Sequence, residues 1–246
     1  MEHRSLTIGH LFPDLLNLYG DRGNILTLQN RLLWRGFGVE TVTFEKDTPL
    51  SFEGLDLVFL GGGSDREQLL VCQQLHRYRE ELAKFVESGG VLVAVCSGYQ
   101  LLGRTFQSHG EIIEGLSLLD IYTEEGENRF IGNVVITTEI MGTPLQIVGF
   151  ENHSGRTYIG NHAPFGQVIS GSGNNGADGT CGVVYKNVLG TYLHGPLLPK
   201  NPQLADYLLQ QAFMRKYGEP VGLISLHDRA EQEAHAYALN RFLHQS

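Results

Sequence analysis

Cys96 closes a run of five apolar residues, Val91 to Val95, and is followed by Ser97 and Gly98, both small enough for a tight strand-to-helix turn. A thiol on such an elbow is a candidate nucleophile, because the helix that follows presents unpaired N–H groups and a partial positive charge that favour thiolate over thiol. The N–H of Ser97 is then placed to donate to an oxyanion. Most free cysteines are only small buried hydrophobes; the setting Cys96-Ser-Gly-Tyr-Gln100 is what favours the nucleophile here. A second cluster, Gly61-Gly62-Gly63-Ser64-Asp65, follows another apolar run. Strand C-termini of a parallel sheet share one edge, which puts this loop beside Cys96, where a backbone N–H such as that of Gly62 could complete an oxyanion hole. The plainer alternative is a turn that needs glycine for positive φ.

A thiol nucleophile needs a base, and ten histidines compete. His194, in Gly190-Thr-Tyr-Leu-His194-Gly-Pro196, ends an apolar segment directly before a Gly-Pro break. His153, with Glu151 and Asn152 beside it, is the serious rival, whereas His76, His227, His235 and His244 fall in helices or polar loops and read as solvated. Chain spacing does not decide between the first two, since catalytic partners are adjacent in space and not in sequence.

The elements that must position these groups follow from hydrophobic period. Ser5 to Phe12 reads as a strand, Asn24 to Trp34 as a helix, Val39 to Phe44 and Leu55 to Leu60 as strands, and about Asp65 to Val86 as one long helix with apolar steps at Leu69, Cys72, Leu75, Leu82 and Val86. Val91 to Val95 reads as a central strand covered on both faces. Alternation of this kind predicts an α/β fold with a mostly parallel central sheet and flanking helices. From Gly115 to about Gly195 the period is mostly two, broken by Gly, Asn and Asp, which predicts an antiparallel extension on one edge of that sheet. Helices return at Gln203 to Tyr217 and Asp228 to Leu243. No linker-like tract appears, so residues 1–246 are read as a single domain.

Composition narrows the class. Eighteen Lys and Arg against 27 Asp and Glu give a net charge of −9, a surface that repels phosphate polymers and disfavours nucleic-acid binding. Three cysteines, at positions 72, 96 and 181 with no Cys-x-x-Cys, build neither a disulfide framework nor a zinc cage and point to a reducing, cytoplasmic setting. No apolar run spans a bilayer, and Met1 to His10 lacks the apolar core of a leader peptide. No metal-ligand spacing stands out. Gly171-Ser-Gly173-Asn-Asn-Gly176 has the letters of a dinucleotide fingerprint without the strand-turn-helix context, and reads as a flexible hairpin loop. Cys72 and Cys181 read as structural, and Asn152-His-Ser154 as a glycosylation sequence without a secretory context.

Cys96-Ser-Gly-Tyr-Gln100 resembles the Cys-x-Gly-x-Gln elbow of the class I, triad-type glutamine amidotransferases, and the wider context resembles their cobyric-acid-synthase-like branch. Leu11-Phe-Pro-Asp-Leu-Leu-Asn-Leu-Tyr19-Gly-Asp-Arg-Gly-Asn24, Gly61-Gly-Gly-Ser-Asp65, Arg129-Phe-Ile-Gly-Asn133 and Phe150-Glu-Asn-His-Ser-Gly-Arg156 are similar to the glutaminase subunits of that branch that serve peptidoglycan-precursor amidation. The resemblance implies a flavodoxin-like fold and hydrolysis of L-glutamine to glutamate and ammonia. It makes Cys96 the nucleophile, His194 the base, Gly62 and Ser97 the oxyanion donors, and Gln100 and Arg129 substrate-binding groups. It also implies a heterodimer in which a Mur-ligase-like partner holds ATP and Mg and amidates the α-carboxyl of D-glutamate, with no cofactor on this chain. For Arg129 the task suits a guanidinium, which grips a carboxylate in bidentate fashion; otherwise it reads as a solvated arginine after the acidic run Glu124-Glu125-Gly126-Glu127. Many class I enzymes carry an acid two residues after the histidine, where this chain has Pro196. Glu151 or a carboxylate from the partner are the candidates for a third triad member. Two other readings stand: a glutaminase for another acceptor such as a cobyrinic acid, though no P-loop is present, and a non-catalytic module of the same fold.

Overall fold

A computed structural model describes residues 4–244, so the first three residues of the stretch read for a leader peptide lie outside it, as do the last two of the chain. The strands are β1 (Ser5–Leu11), β2 (Gly38–Phe44), β3 (Leu57–Leu60), β4 (Val91–Val95), β5 (Thr105–Ser108), β6 (Glu111–Glu114), β7 (Tyr122–Thr138), β8 (Leu145–Tyr158), β9 (Gly166–Ser170), β10 (Thr180–Cys181), β11 (Val183–Tyr185) and β12 (Val188–Thr191). The helices are α1 (Arg22–Leu33), α2 (Asp65–His76), α3 (Arg79–Glu87), α4 (Ser97–Leu101), α5 (Leu197–Lys200), α6 (Pro202–Tyr217) and α7 (Arg229–Leu243).

The first sheet runs β11-β12-β4-β3-β1-β2, parallel throughout except for the β11–β12 pair. Every residue of β3 and β4 is buried, as expected of strands covered on both faces by helices. Their C-terminal ends lie side by side, with Leu60 paired to Ala94, and this juxtaposition brings the glycine loop to Cys96.

Three expectations need correction. The long helix is two, α2 and α3, separated by Arg77 and Tyr78. The apolar stripe jumps from Leu75 to Leu82, and in that gap the N–H groups of Arg77 and Tyr78 turn back to Gln74 and Leu75 and end the first helix. Most of the period-two region does not extend the edge of the first sheet. It forms a second sheet, β10-β9-β7-β5-β6 with β8 on β7, because β7 and β8 are long enough to pair with each other over most of their length. Only β11 and β12 return to the first sheet, and β12 does so in parallel beside β4. Thirdly, the loop Gly171 to Gly176 is tightly bonded: Asn174 is fully buried, and its side chain reaches Gly182 and Thr180.

The two sheets meet at His194. Its backbone forms an isolated bridge with Phe150 of β8, Phe150 N–H to His194 O at 3.2 Å and His194 N–H to Phe150 O at 2.8 Å. The imidazole is thus carried three residues beyond β12, between the sheets. Among the described residues no helix is long and apolar enough to cross a membrane.

Candidate active site

Cys96 follows β4 and caps α4, with φ 54° and ψ −111°. The strain of the elbow therefore sits on the cysteine itself, the kind of backbone outlier that persists at working sites. Gly98 is required for another reason: a Cβ there would lie 2.6 Å from the Leu60 carbonyl oxygen and 2.8 Å from that of Gly61. The same logic governs the glycine loop. None of Gly61, Gly62 and Gly63 has positive φ, so the turn explanation fails and close approach replaces it. A methyl on Gly62 would sit 3.0 Å from His194 Cε1 and 3.1 Å from Cys96 Cβ. Gly62 thus lies against both the Cys96 side chain and the His194 imidazole, while the rival His153 lines the pocket that Cys96 also lines.

The electrostatics are those of a resting site. Burial, and then the carboxyl of Asp21, push the Cys96 thiol up to about 12, opposed by the backbone N–H and hydroxyl of Ser97. The expectation that the helix end would hold a thiolate is overturned, since a helix of five residues contributes too little dipole to offset burial. His194 is fully buried, and burial, helped by His153 and Lys200, lowers it to about 3. Among the described residues neither ring nitrogen of His194 has a hydrogen-bond partner. Thiol and imidazole are therefore both neutral.

The other expected residues fall around this pair. Ser97 exchanges hydrogen bonds with Gly63, donating to its carbonyl at 2.8 Å and accepting from its N–H at 3.2 Å. Gly62 donates its N–H to Asp21 Oδ2 at 2.8 Å, so this expected oxyanion donor is engaged elsewhere. Gln100 lines the same pocket as Cys96, but both ends of its amide are held: it accepts from Gln68 at 2.7 Å and donates to the Tyr192 hydroxyl at 3.0 Å. Arg129 lines the pocket too. It lies where the β7–β8 register slips between Glu125 and Phe130, and such a bulge re-aims a side chain. Its Nε donates to Asn152 Oδ1 at 2.9 Å. Arg156 fastens the bulge, its guanidinium 3.4 Å from the centre of the Phe130 ring and bonded to the Asn128 carbonyl. Glu151 is buried and accepts from the N–H groups of Ser172 and Gly173 at 2.7 and 3.0 Å; its ionic neighbour is His153, at 3.7 Å.

The segment Tyr19 to Asn24, to which no individual roles were assigned from sequence, cradles the histidine turn. The Tyr19 ring lies 4.9 Å from that of His194. A Cβ on Gly23 would meet Pro196 Cγ at 2.6 Å, and Asn24 Oδ1 accepts from the N–H of Leu198 at 2.8 Å. Asp21 is fully buried, with one oxygen on Gly62 and the other unpartnered. Burial raises its carboxyl to about 7. These roles are invisible in sequence because they are made to loops some 40 to 180 residues away; the only signal was the density of Gly, Asp and Asn.

A strained cysteine elbow, a buried histidine across a glycine loop and an arginine at the pocket wall lie together on a flavodoxin-like α/β fold, an arrangement suited to hydrolysis of an amide. Residues 7–202 match the CobB/CobQ-like glutamine amidotransferase domain, and the chain belongs to that family. Among individual proteins it is 44% identical to the lipid II isoglutaminyl synthase (glutamine-hydrolyzing) subunit GatD of Staphylococcus aureus, over 96% of each chain. It is 39% identical to the subunit of the same name from Streptococcus pneumoniae, over 93% of this chain and 88% of that one. It is 28% identical to the probable cobyric acid synthase of Methanocaldococcus jannaschii, over 76% of this chain and 38% of that protein.

Proposed function

We propose that this chain is the glutaminase subunit of a lipid II isoglutaminyl synthase. In this reading it hydrolyses L-glutamine through a Cys96 thioester and passes ammonia to a Mur-ligase-like subunit of the MurT type. That partner, with ATP and Mg, amidates the α-carboxyl of D-glutamate in the peptidoglycan precursor, and the heterodimer works in the cytoplasm. The near full-length match to two such subunits supports this acceptor over a cobyrinic acid, whose synthase matches across a minority of its own length. The observation that carries the chemistry is the approach of both Cys96 and His194 to Gly62, each about 3 Å from where its Cβ would lie.

In the proposed reaction Arg129 grips the α-carboxylate of glutamine, which turns the side-chain amide toward Cys96. His194 takes the thiol proton, Sγ attacks the amide carbon, and the N–H of Ser97 donates to the oxyanion. The imidazolium then protonates the leaving nitrogen, ammonia departs, and His194 activates the water that hydrolyses the thioester. With the thiol near 12 and the imidazole near 3, the first proton transfer is steeply uphill. A negative charge placed against His194 favours its protonated form. No carboxylate of the described residues bonds to it, and Glu151 is committed to Ser172 and Gly173. The missing acid is therefore assigned to the partner, which ties ammonia release to the presence of the acceptor enzyme.

The test is kinetic. The purified chain should release ammonia from glutamine slowly, and adding the Mur-ligase-like subunit should raise kcat at least about tenfold, a barrier change of ~1.4 kcal/mol. Full activity in the isolated chain, unchanged by the partner, would refute completion of the site in trans.

A further inference from the structure

We propose that Asp21 is a positioning residue of a gate on the oxyanion hole: it holds the Gly62 N–H away from the reacting carbon, and Tyr19, on the same short segment, is the handle that releases it. The inference rests on the reading of Cys96 and His194 as the hydrolytic pair. It begins from the lacing of Gly62 at both ends. Its N–H donates to Asp21 Oδ2 at 2.8 Å, and its carbonyl accepts from the N–H of Leu18 at 3.0 Å. The next donor along, the N–H of Gly63, is spent on Ser97 Oγ. In this state the N–H groups of Gly62 and Gly63 are both engaged elsewhere, and a developing oxyanion lacks a second donor beside that of Ser97.

The clamp is built to let go. Asp21 is fully buried, yet one of its oxygens has no partner, and a buried polar atom left unsatisfied costs free energy that any rearrangement can recover. The segment that carries it is a single 3-10 turn, Leu18–Gly20, in which Tyr19 itself takes left-handed angles, φ 54° and ψ 27°. A tyrosine holds that conformation only under constraint. Leu18 and Tyr19 are large apolar side chains, yet 40% and 44% exposed.

Tyr19 connects the clamp to the two events that begin catalysis. Its ring covers the His194 imidazole at 4.9 Å and touches Phe150 at 5.8 Å, so a carboxylate that reaches His194 must displace it. Its hydroxyl accepts from the amide of Asn152, whose oxygen in turn accepts from Arg129. A substrate carboxylate that captures Arg129 breaks the same chain from the other end. Only the two events together free Tyr19; the turn then relaxes, Asp21 withdraws, and the Gly62 N–H becomes available to the tetrahedral intermediate. The gate thus limits hydrolysis of glutamine when the acceptor enzyme is missing.

The experiment is ammonia release from L-glutamine by the full chain without partner. Asp21→Ala should raise kcat about tenfold with KM within about twofold, because an oxyanion donor acts in the transition state and not in the ground state. Asp21→Asn retains an acceptor for the Gly62 N–H and should bring kcat back toward the wild-type value. Tyr19→Ala, at an exposed position that risks little in folding, should raise kcat in the same direction. A folded Asp21→Ala chain with kcat at or below wild type overturns the gate; if that variant does not fold, an unchanged or lower kcat in Tyr19→Ala overturns it. Labelling of wild-type Cys96 by a glutamine-analogue diazoketone checks the underlying reading separately. Absence of label would remove that reading and the gate together, whereas label with the wrong Asp21 and Tyr19 kinetics removes the gate alone.

Discussion

His153 and His194 are both buried, on facing segments of the two sheets, and they are held in opposite ways. His153 donates from Nδ1 to the Gly155 carbonyl at 2.8 Å and stacks on Tyr192 at 3.6 Å with the rings 2° from parallel. It meets Phe130 edge-on, and Glu151 lies 3.7 Å from Nε2. His194 has a covering ring and no hydrogen bond at either nitrogen. A bare buried ring nitrogen costs roughly 1 to 3 kcal/mol; among the described residues His153 leaves one such nitrogen, Nε2, and His194 leaves two, which in the proposed reaction are the sites for a proton that arrives during turnover. In the proposed reaction the histidine with more partners is scaffold and the one with fewer is chemistry.

The most forceful way to break that comparison is to exchange the losses. Cys96→Ser or His194→Gln should lower kcat at least about 1,000-fold with the fold retained, since nucleophile and base act as one unit. His153→Gln should do the reverse: it should lower Tm by several degrees through loss of the Tyr192 stack and the Gly155 bond, and keep kcat within about tenfold. Steady-state ammonia release and a thermal melt on the same preparations measure both. A His153 variant as dead as the His194 variant, with an unchanged melt, would reverse the assignment.

A second way sharpens the comparison at the pocket wall. Arg129→Ala should raise the glutamine KM about tenfold or more, with the smaller effect on kcat, because a carboxylate clamp binds ground and transition states alike. In the resting structure Arg129 is exposed and, among the described residues, bonds to Asn152, so its removal should leave the melt within a degree or two. An unchanged KM would return Arg129 to the solvated surface.

What could be read in the sequence was whatever a short window contains. The Val91 to Cys96 run, the elbow and the glycine loop are local, and parallel pairing of β3 with β4 follows from two buried strands separated by helical chain. The second sheet was misread because period two reports strands and not their partners; that β7 seeks β8 while β12 returns to β4 is decided by tertiary packing. The thiolate expectation failed for a related reason. A helix end is visible in sequence, whereas the depth at which it is buried, and the carboxyl of Asp21 that lies close by, are not. Asp21, Tyr19 and Arg156 escaped because each acts on a residue far along the chain, through contacts that no spacing rule encodes.

The smallest effect, and the most pointed, concerns Glu151. Read from sequence it was the in-chain candidate for the third triad acid, and the comparison of histidines predicts that it belongs to the scaffold side. Its carboxylate receives two backbone N–H groups, from Ser172 and Gly173, at 2.7 and 3.0 Å in a site 2% exposed. Glutamine is nearly the same shape but keeps one acceptor and turns an amide NH2 toward one of those donors, so Glu151→Gln loses one charge-assisted bond and leaves a second N–H facing a donor. Such a change costs about 2 kcal/mol, visible as a lower Tm and a looser Gly171 to Gly176 loop in hydrogen exchange. The partner-independent kcat should stay within about threefold, because the bonds of Glu151 reach His194 nowhere. If partner-independent turnover instead falls in proportion to that of a His194 variant while the melt is untouched, the acid belongs to this chain, the two histidines share one proton path, and the division between scaffold and chemistry drawn from their hydrogen bonds is wrong.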